Sequence, residues 1–328
     1  MWLSPFLILM LVSIFSSIFL VISSPSLLIS WVGLELNTLV FLPIILNKKL
    51  NTTSEASIKY FLTQTMASIL IILSAFSFFL NLMVLGNLIM MLGLAIKLGA
   101  APFHSWLLSV AENLTWVCLF ILLTIQKINP LLILWEFIEY NLGVFDVLII
   151  LSLSVGSMMG LIQTSTRLLL TFSSINHLGW LLISLSFDLW LGSMYFLIYM
   201  IVLLPLILIF NTFNISYINE SIMMNFNSSK QIFMYLSILS LGGLPPFLGF
   251  LPKWLILQST MSGGWYFFSF IMILTSLFTL FYYLRLTFSA FIMGGMNLFS
   301  SNNSYSLGDL NLIMFCVSIL GLPLFLFI

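Results

Sequence analysis

The chain has 328 residues, 62% of them hydrophobic and only 5% charged, with nine basic side chains against nine acidic and a mean hydropathy of +1.22. So little charge cannot clothe a soluble globule, which leaves a polytopic membrane protein, and the charge balance excludes the basic surface that nucleic-acid binding needs. The two cysteines, Cys118 and Cys316, both fall inside apolar runs and point to neither a disulfide framework nor a metal site.

A membrane crossing needs about 20 apolar residues. On that ruler about eleven spans are predicted, at roughly 2–22, 26–46, 55–80, 84–108, 114–138, 145–163, 168–187, 191–213, 231–261, 264–289 and 308–327. The first run, MWLSPFLILM, has no basic residues before it and reads as a span, not as a cleaved signal. Polar links at Asn47–Ser54, Gln163–Arg167, Asn214–Lys230 and Asn297–Asp309 punctuate the spans. The fold class expected is therefore an all-α membrane bundle forming a single transmembrane domain over 1–328.

Charge sets the orientation. Links after the even spans contain or adjoin Lys48, Lys49, Lys59, Arg167, Lys230 and Arg285, whereas links after the odd spans hold or border Glu136, Glu139, Asp146 and Asp188 without Lys or Arg. The positive-inside rule then places the N-terminus on the negative side of the membrane and the C-terminus opposite, which requires an odd number of spans.

The fourth, fifth and ninth spans are irregular. In the fourth, LAIKLGAAPFHSW carries Lys97 just before Gly99 and Pro102; in the ninth, LGGLPPFLGFLPKW places Gly242 and Pro245 ahead of Lys253. Both contain the frame Leu-Gly-x-x-Pro. A broken helix in lipid frees backbone groups that only protein or a water-lined cavity can satisfy. A matched pair of such breaks in the two halves of a chain marks a transporter-type site near mid-membrane. Spans 1–5 (about 1–140) and 6–10 (about 145–290) are expected to form two five-helix repeats, with the break in the fourth member of each. Five is odd, so the second repeat enters from the opposite side and the repeats are inverted; the span at 308–327 is an addition.

Four charges lie in mid-span. Glu35 is about 15 Å deep in span 2, Lys97 and Lys127 about 20 Å into spans 4 and 5 at 1.5 Å per residue, and Lys253 follows the break in span 9. Intramembrane ionisable residues face a bundle interior or water and read first as proton or ion relays; three such lysines among nine basic residues are hard to ascribe to accident. Two of the three adjoin a Gly/Pro break. Lys59, at the start of span 3, reads either as an interfacial anchor or as a relay member. His177 in Ser173-Ser174-Ile175-Asn176-His177 and His104 after Pro102 read either as hydrogen-bonded imidazoles or as parts of a proton wire. Glu112 is expected to be solvated. There is no GxGxxG, no P-loop, no cysteine cluster and no histidine pair at haem spacing, so the chain shows no means of handling electrons or nucleotides.

Trp31-Val32-Gly33-Leu34-Glu35-Leu36-Asn37, the run Glu55 through Gln64, Lys97 through His104, Thr124 through Pro130, Ser173 through Gly179 and Gly242 through Trp254 follow one another in a familiar order. Over about residues 30–290 the chain resembles the antiporter-like membrane subunits of mitochondrial respiratory complex I, in the NADH dehydrogenase subunit 2 family, in its animal eleven-helix form. The resemblance implies an organelle-encoded, multi-pass protein of the inner mitochondrial membrane, its N-terminus on the matrix side. It implies partnership with other membrane-arm and accessory subunits and the lipid bilayer, and proton translocation coupled to electron transfer from NADH to ubiquinone. It implies that FMN, iron–sulfur clusters and ubiquinone belong to other subunits, with no cofactor in this chain. On the family pattern Glu35, Lys97, Lys127 and Lys253 match the charged axis of a pumping unit. Leu168, after Arg167, departs from the second basic residue of many relatives. Two other functions compete, an autonomous cation/proton antiporter of the same ancestry and a structural subunit with vestigial charges.

Overall fold

In the computed structural model, which describes residues 5–46, 51–138, 142–217, 220 and 228–294, the chain is a bundle of helices. Its described residues form α1 (Pro5–Ile22), α2 (Leu27–Ile45), α3 (Asn51–Phe79), α4 (Met83–Leu98), α5 (Ser105–Asn113), α6 (Trp116–Leu123), α7 (Ile125–Phe137), α8 (Leu142–Gly160), α9 (Thr166–Phe187), α10 (Leu189–Phe213), α11 (Ser228–Gly242), α12 (Phe250–Ser262) and α13 (Tyr266–Gly294). These account for the first ten predicted spans: α4–α5, α6–α7 and α11–α12 are the three irregular ones. The third span begins at Asn51 rather than near 55. The eleventh span, Cys316 and the Lys48–Lys49 link lie outside the described residues.

Helices dominate because hydrocarbon offers the backbone no partner but itself. Among the described residues, the β-pairing recorded is one isolated bridge between Ser165 and Tyr217. Among the described residues, seven segments are by themselves long and apolar enough to cross a membrane: Leu27–Ile45, Asn51–Phe79, Trp116–Phe137, Gly143–Gly160, Thr166–Phe187, Leu189–Phe213 and Tyr266–Phe288. The other three crossings are α1, whose apolar stretch is shorter, and the fourth and ninth spans, which their breaks divide. Outward faces carry large apolar side chains such as Phe15, Phe19, Leu62, Phe270 and Phe281, all exposed from the chain and suited to lipid.

The chain divides into two compact units, Met1–Ser152 and Leu153–Ile328. In the first, α3 packs against α2 and α4, α1 against α2, and α4 against α7. Close approach there relies on Gly33, where a methyl group would come within 2.6 Å of Val21 and 3.2 Å of the Ser17 carbonyl; lipid-embedded helices associate through such small residues because no hydrophobic driving force separates them from lipid. In the second unit the core is α9. Every residue from Leu169 to Leu185 is buried, including Ser173, Ser174, Asn176, His177 and Ser184. The serines survive there by donating back to their own helix, as Ser173 does to the Leu170 carbonyl at 2.8 Å and Ser174 to Thr171 at 2.7 Å.

Candidate functional site

In the first unit the break in the fourth span follows from Gly99, which caps α4 in the left-handed conformation at φ +68°, a region open to glycine and costly for other L-residues. Lys97 thereby falls in the last turn of α4, where free carbonyls concentrate negative partial charge. One of those carbonyls, that of Ile96, accepts the Trp106 indole N–H from α5 at 3.0 Å. The fifth span breaks at Thr124, whose backbone leaves the helical region at φ −118°, ψ −81°. Its hydroxyl donates to the Phe120 carbonyl at 2.6 Å and its carbonyl accepts the Lys127 amide at 2.9 Å, so the interruption leaves its own groups satisfied. Two lysines from two broken spans, 6% (Lys97) and 3% (Lys127) exposed, line one small cavity of about 10 Å³, room for roughly one water.

Polar side chains from α2, α3 and α7 furnish the same cavity. Tyr60 donates to the Gln126 side-chain oxygen at 3.1 Å, and the Gln126 amide nitrogen donates to the Asn37 side-chain oxygen at 3.1 Å. Glu35, half-buried on α2, accepts from the Thr38 hydroxyl at 3.3 Å, and its charge acts on both Lys97 and Tyr60. The Lys97 ammonium makes no hydrogen bond to protein. The cavity is lined by two amines, side-chain amides and a phenol within apolar walls, with the Glu35 carboxylate acting on Lys97 from outside the lining, an arrangement that can pass protons; among the described residues no metal-binding cluster occurs.

In the second unit α11 ends at Gly242, and Gly243 turns the chain at φ +79°. Lys253, in the first turn of α12, reaches back across this turn and donates to the Gly242 carbonyl at 2.9 Å. Its ammonium also lies 5.7 Å from the centre of the Trp180 ring on α9, a cation–π contact. Trp180 stacks on Tyr195 from α10, and the Tyr195 hydroxyl is 2.7 Å from Nδ1 of His177. His177, Tyr195, Tyr199, Ser240, Gly249 and Pro252 help line a second cavity, again of about 10 Å³.

Among the described residues the buried side chains bearing formal charge are Lys97, Lys127 and Lys253. Each adjoins a helix interruption, one more than the glycines and prolines announced, because Thr124 breaks the fifth span without either. The structure brings Lys97 and Lys127 to one cavity in the first unit, with Glu35 acting on Lys97, and in the second links Lys253 to His177 through Trp180 and Tyr195. Lys59 is exposed on the third turn of α3 and is not among the residues lining the cavity. His104 is half-buried, its Nδ1 3.1 Å from the Pro102 carbonyl; Glu112 is exposed, as expected. Residues not singled out from sequence are Tyr60, Asn37 and Gln126 in the first unit and Tyr195 and Tyr199 in the second. Asn37, Tyr60 and Gln126 lie in the stretches that carry the family resemblance, which pointed to no single one of them, and Tyr195 and Tyr199 lie outside those stretches.

Residues 24–82 and 80–279 match the family described as NADH:quinone oxidoreductase/Mrp antiporter, transmembrane. The chain is 43% identical to the NADH-ubiquinone oxidoreductase chain 2 of Aedes aegypti over 327 residues, covering 95% of this chain and 94% of that one. Its fold is similar to that of a chain in respiratory complex I from Thermus thermophilus with bound aureothin, at a TM-score of 0.82 and 21% identity, covering 96% of this chain and 78% of that one. It is also similar to a chain of the Mrp complex from Dietzia, at a TM-score of 0.77 and 17% identity, covering 84% of this chain and 59% of that one.

Proposed function

Because the chain belongs to the NADH:quinone oxidoreductase/Mrp antiporter transmembrane family, and within it to the group of NADH-ubiquinone oxidoreductase chain 2, we propose that it is a proton-translocating membrane-arm subunit of NADH:ubiquinone oxidoreductase, respiratory complex I. It contributes to the enzyme as a subunit and carries no redox step itself. FMN, iron–sulfur clusters and ubiquinone are handled by other subunits, with which this chain assembles in the inner mitochondrial membrane. The alternating charges of the links support an N-terminus on the matrix side.

The observation that carries the mechanistic reading is the placement of all three buried lysines at helix interruptions. An ammonium in hydrocarbon is costly, and a protein that only needed to pack would fill these positions with leucine or methionine. Here Lys97 and Lys127 line one cavity and Glu35 lies within electrostatic reach of Lys97, so protonation of that amine responds to the charge state of its neighbour. Lys253 and His177 form the corresponding centre of the second unit. Coupling to quinone reduction elsewhere in the complex then drives protons through both centres.

Replacement of Lys97, Lys127 or Lys253 by Met keeps much of the stem and removes the titrating amine. In complex reconstituted into vesicles, each variant assembles and loses a large share of its proton pumping. Normal proton-to-electron ratios in all three would overturn the relay. The fold shared with the Dietzia Mrp chain favours a second reading, an autonomous cation/proton antiporter. Native mass separates the two: an antiporter migrates as a small oligomer without NADH-oxidising partners.

A further inference from the structure

Among the described residues the second unit buries five tyrosines; Tyr235 lies on α11, and the other four come from α10 and α13. Tyr195 and Tyr199 come from α10, Tyr282 and Tyr283 from α13, and each is at most 4% exposed. Tyr195 is bound to His177. The other three form a succession leading away from it. The Tyr199 ring lies 4.9 Å from the His177 ring. Its hydroxyl faces Ser174, and it is close enough to Tyr283 for the two to interact electrostatically. The Tyr283 hydroxyl faces both Ser173 and Tyr282, whose rings-to-centre distance from Tyr283 is 4.5 Å. Tyr283 also lies against Gly242, the residue whose carbonyl holds Lys253: a methyl group there would be 3.4 Å from its ring.

At its far end the succession reaches the end of α8. The Tyr282 ring is packed on Gly160, the last residue of that helix, so closely that a methyl group at Gly160 would come within 2.9 Å of it. Three residues on, about one turn along α13, the exposed Arg285 donates to the carbonyls of Leu161 at 2.8 Å and Gln163 at 3.1 Å. An arginine that caps a helix end while keeping its head in the open marks the interface level. Phenols therefore extend from Gly242, which holds Lys253, to within about a turn of the exposed Arg285.

Packing alone does not explain them. Phenylalanine would fill the same space without burying a hydroxyl, and the hydroxyls of Tyr199, Tyr282 and Tyr283 close no well-formed hydrogen bond although each faces another hydroxyl. Buried polar groups left in that condition are costly and call for a reason. The neighbouring serines donate their own protons to the carbonyls of Leu170 and Thr171, so towards the phenols they can serve only as acceptors.

We propose that Tyr199, Tyr283 and Tyr282 form a proton-conducting hydroxyl path joining the Lys253–His177 centre to the Gln163–Arg285 end of the second unit. The inference rests on the reading of this centre as a proton site and adds its route to one membrane face. In each step an oxygen accepts a proton on a lone pair while releasing its own O–H proton to the next oxygen. One positive charge advances by one position, no phenol is consumed, and a rotation about the C–O bond resets the donor. Loose hydroxyl geometry suits such a path, because a small rotation closes or opens each link.

Tyr199→Phe, Tyr282→Phe and Tyr283→Phe test it in the intact complex, reconstituted into vesicles, with Lys253→Met and the exposed Tyr266→Phe alongside. Native electrophoresis gives the amount assembled, and pumping is expressed per assembled complex. Each buried Phe variant assembles, pumps at least threefold more slowly and shows an altered H₂O/D₂O rate ratio, while Tyr266→Phe is unchanged. Pumping at the normal rate per assembled complex in the three buried variants overturns the path, whether or not their yield falls. If Lys253→Met is impaired in that same experiment, the centre survives and only its route is wrong; if Lys253→Met also pumps normally, the centre itself falls and the path with it.

Discussion

Gly243 offers a way to move Lys253 without altering it. A methyl group at this position would sit 3.0 Å from Cδ of Lys253, 3.2 Å from its Nζ and 3.3 Å from the Gly249 carbonyl oxygen, on a backbone at φ +79°. The left-handed conformation costs alanine about 1–2 kcal/mol, offset by about 0.4–1 kcal/mol from the stiffer unfolded chain, so strain alone amounts to about 1 kcal/mol. Displacing the ammonium from the Gly242 carbonyl, 2.9 Å away, forfeits a hydrogen bond to a charged group, worth about 1.5–3 kcal/mol. A penalty of about 2 kcal/mol on the bound position lowers its occupancy roughly thirtyfold at RT of about 0.59 kcal/mol. Gly99→Ala is the matched comparison. It has nearly the same φ, +68°, but its methyl group would meet Leu107 at 3.2 Å and no lysine. In vesicles, Gly243→Ala should lose more than half of its proton pumping per assembled complex and Gly99→Ala much less. Asparagine tolerates the left-handed region better than alanine, so Gly243→Asn relieves strain while keeping the encounter with Lys253. It should be as impaired as Gly243→Ala. Recovery in Gly243→Asn, or equal behaviour of the two alanine variants, would refute the displacement argument.

Two further outcomes follow from other parts of the chain. Glu35→Gln removes the charge that acts on Lys97 while keeping an acceptor for Thr38, and it should lower coupled quinone-reductase activity with assembly largely kept; full turnover and full pumping would make the carboxylate a packing element. Glu220 lies beyond α10, where partial burial disfavours its charge but donors from the Ser216 and Tyr217 amides and the Ser216 hydroxyl prevail and hold the carboxyl below its usual range. A depressed folded value means that its stabilisation is present above the ordinary carboxylate pKa and is lost as pH falls through the lower folded one. Glu220→Gln at neutral pH should therefore raise hydrogen exchange at the Ser216 and Tyr217 amides, and unchanged protection would count against that anchoring.

Much of the scaffold was legible because lipid enforces simple rules. Spans show as long apolar runs, and a lysine inside one shows as an exception. Gly99 with Pro102 and Gly242 with Pro245 announced two breaks because glycine and proline disrupt helices through their own backbones. Thr124 announced nothing. At its break the side-chain hydroxyl joins the Thr124 amide on the Phe120 carbonyl, chemistry that leaves no compositional trace. Pro130, the visible breaker in that span, instead lies inside α7, which runs on to Phe137. Partners were still less accessible. Tyr60 and Gln126 are 66 residues apart, and Glu35 had Lys59 and Lys97 as equally plausible neighbours along the chain. Burial separates these two, since Lys59 is exposed while Lys97 lines the cavity.

The coincidence of lysines with breaks has a physical basis that no span pattern conveys. In an unbroken apolar helix every carbonyl already accepts the amide four residues on, and only short side chains such as serine's reach its second lone pair, so a lysine finds no uncommitted acceptor. A break releases carbonyls at the C-terminal end of the first half-helix, where the peptide dipoles also concentrate negative partial charge. Lysines stand on both sides of the interruptions, and Lys253 takes one of these carbonyls directly. Lys97 precedes its break and lies in the last turn of α4 itself. Lys253 follows its break, in the first turn of α12, where its own helix end is unfavourable to a cation; it reaches back over Gly243 to a carbonyl at the end of α11. Glycine at 243 is thus required twice, once for the turn and once for the passage of the lysine stem. Lys127 also follows its break, and there the Thr124 carbonyl is occupied by the Lys127 amide, so its ammonium depends instead on the polar cavity it shares with Lys97. A substitution that healed any of these breaks would remove the acceptor or the cavity and strand the amine in hydrocarbon, which makes the irregular backbone as much a part of each proposed proton site as the lysine.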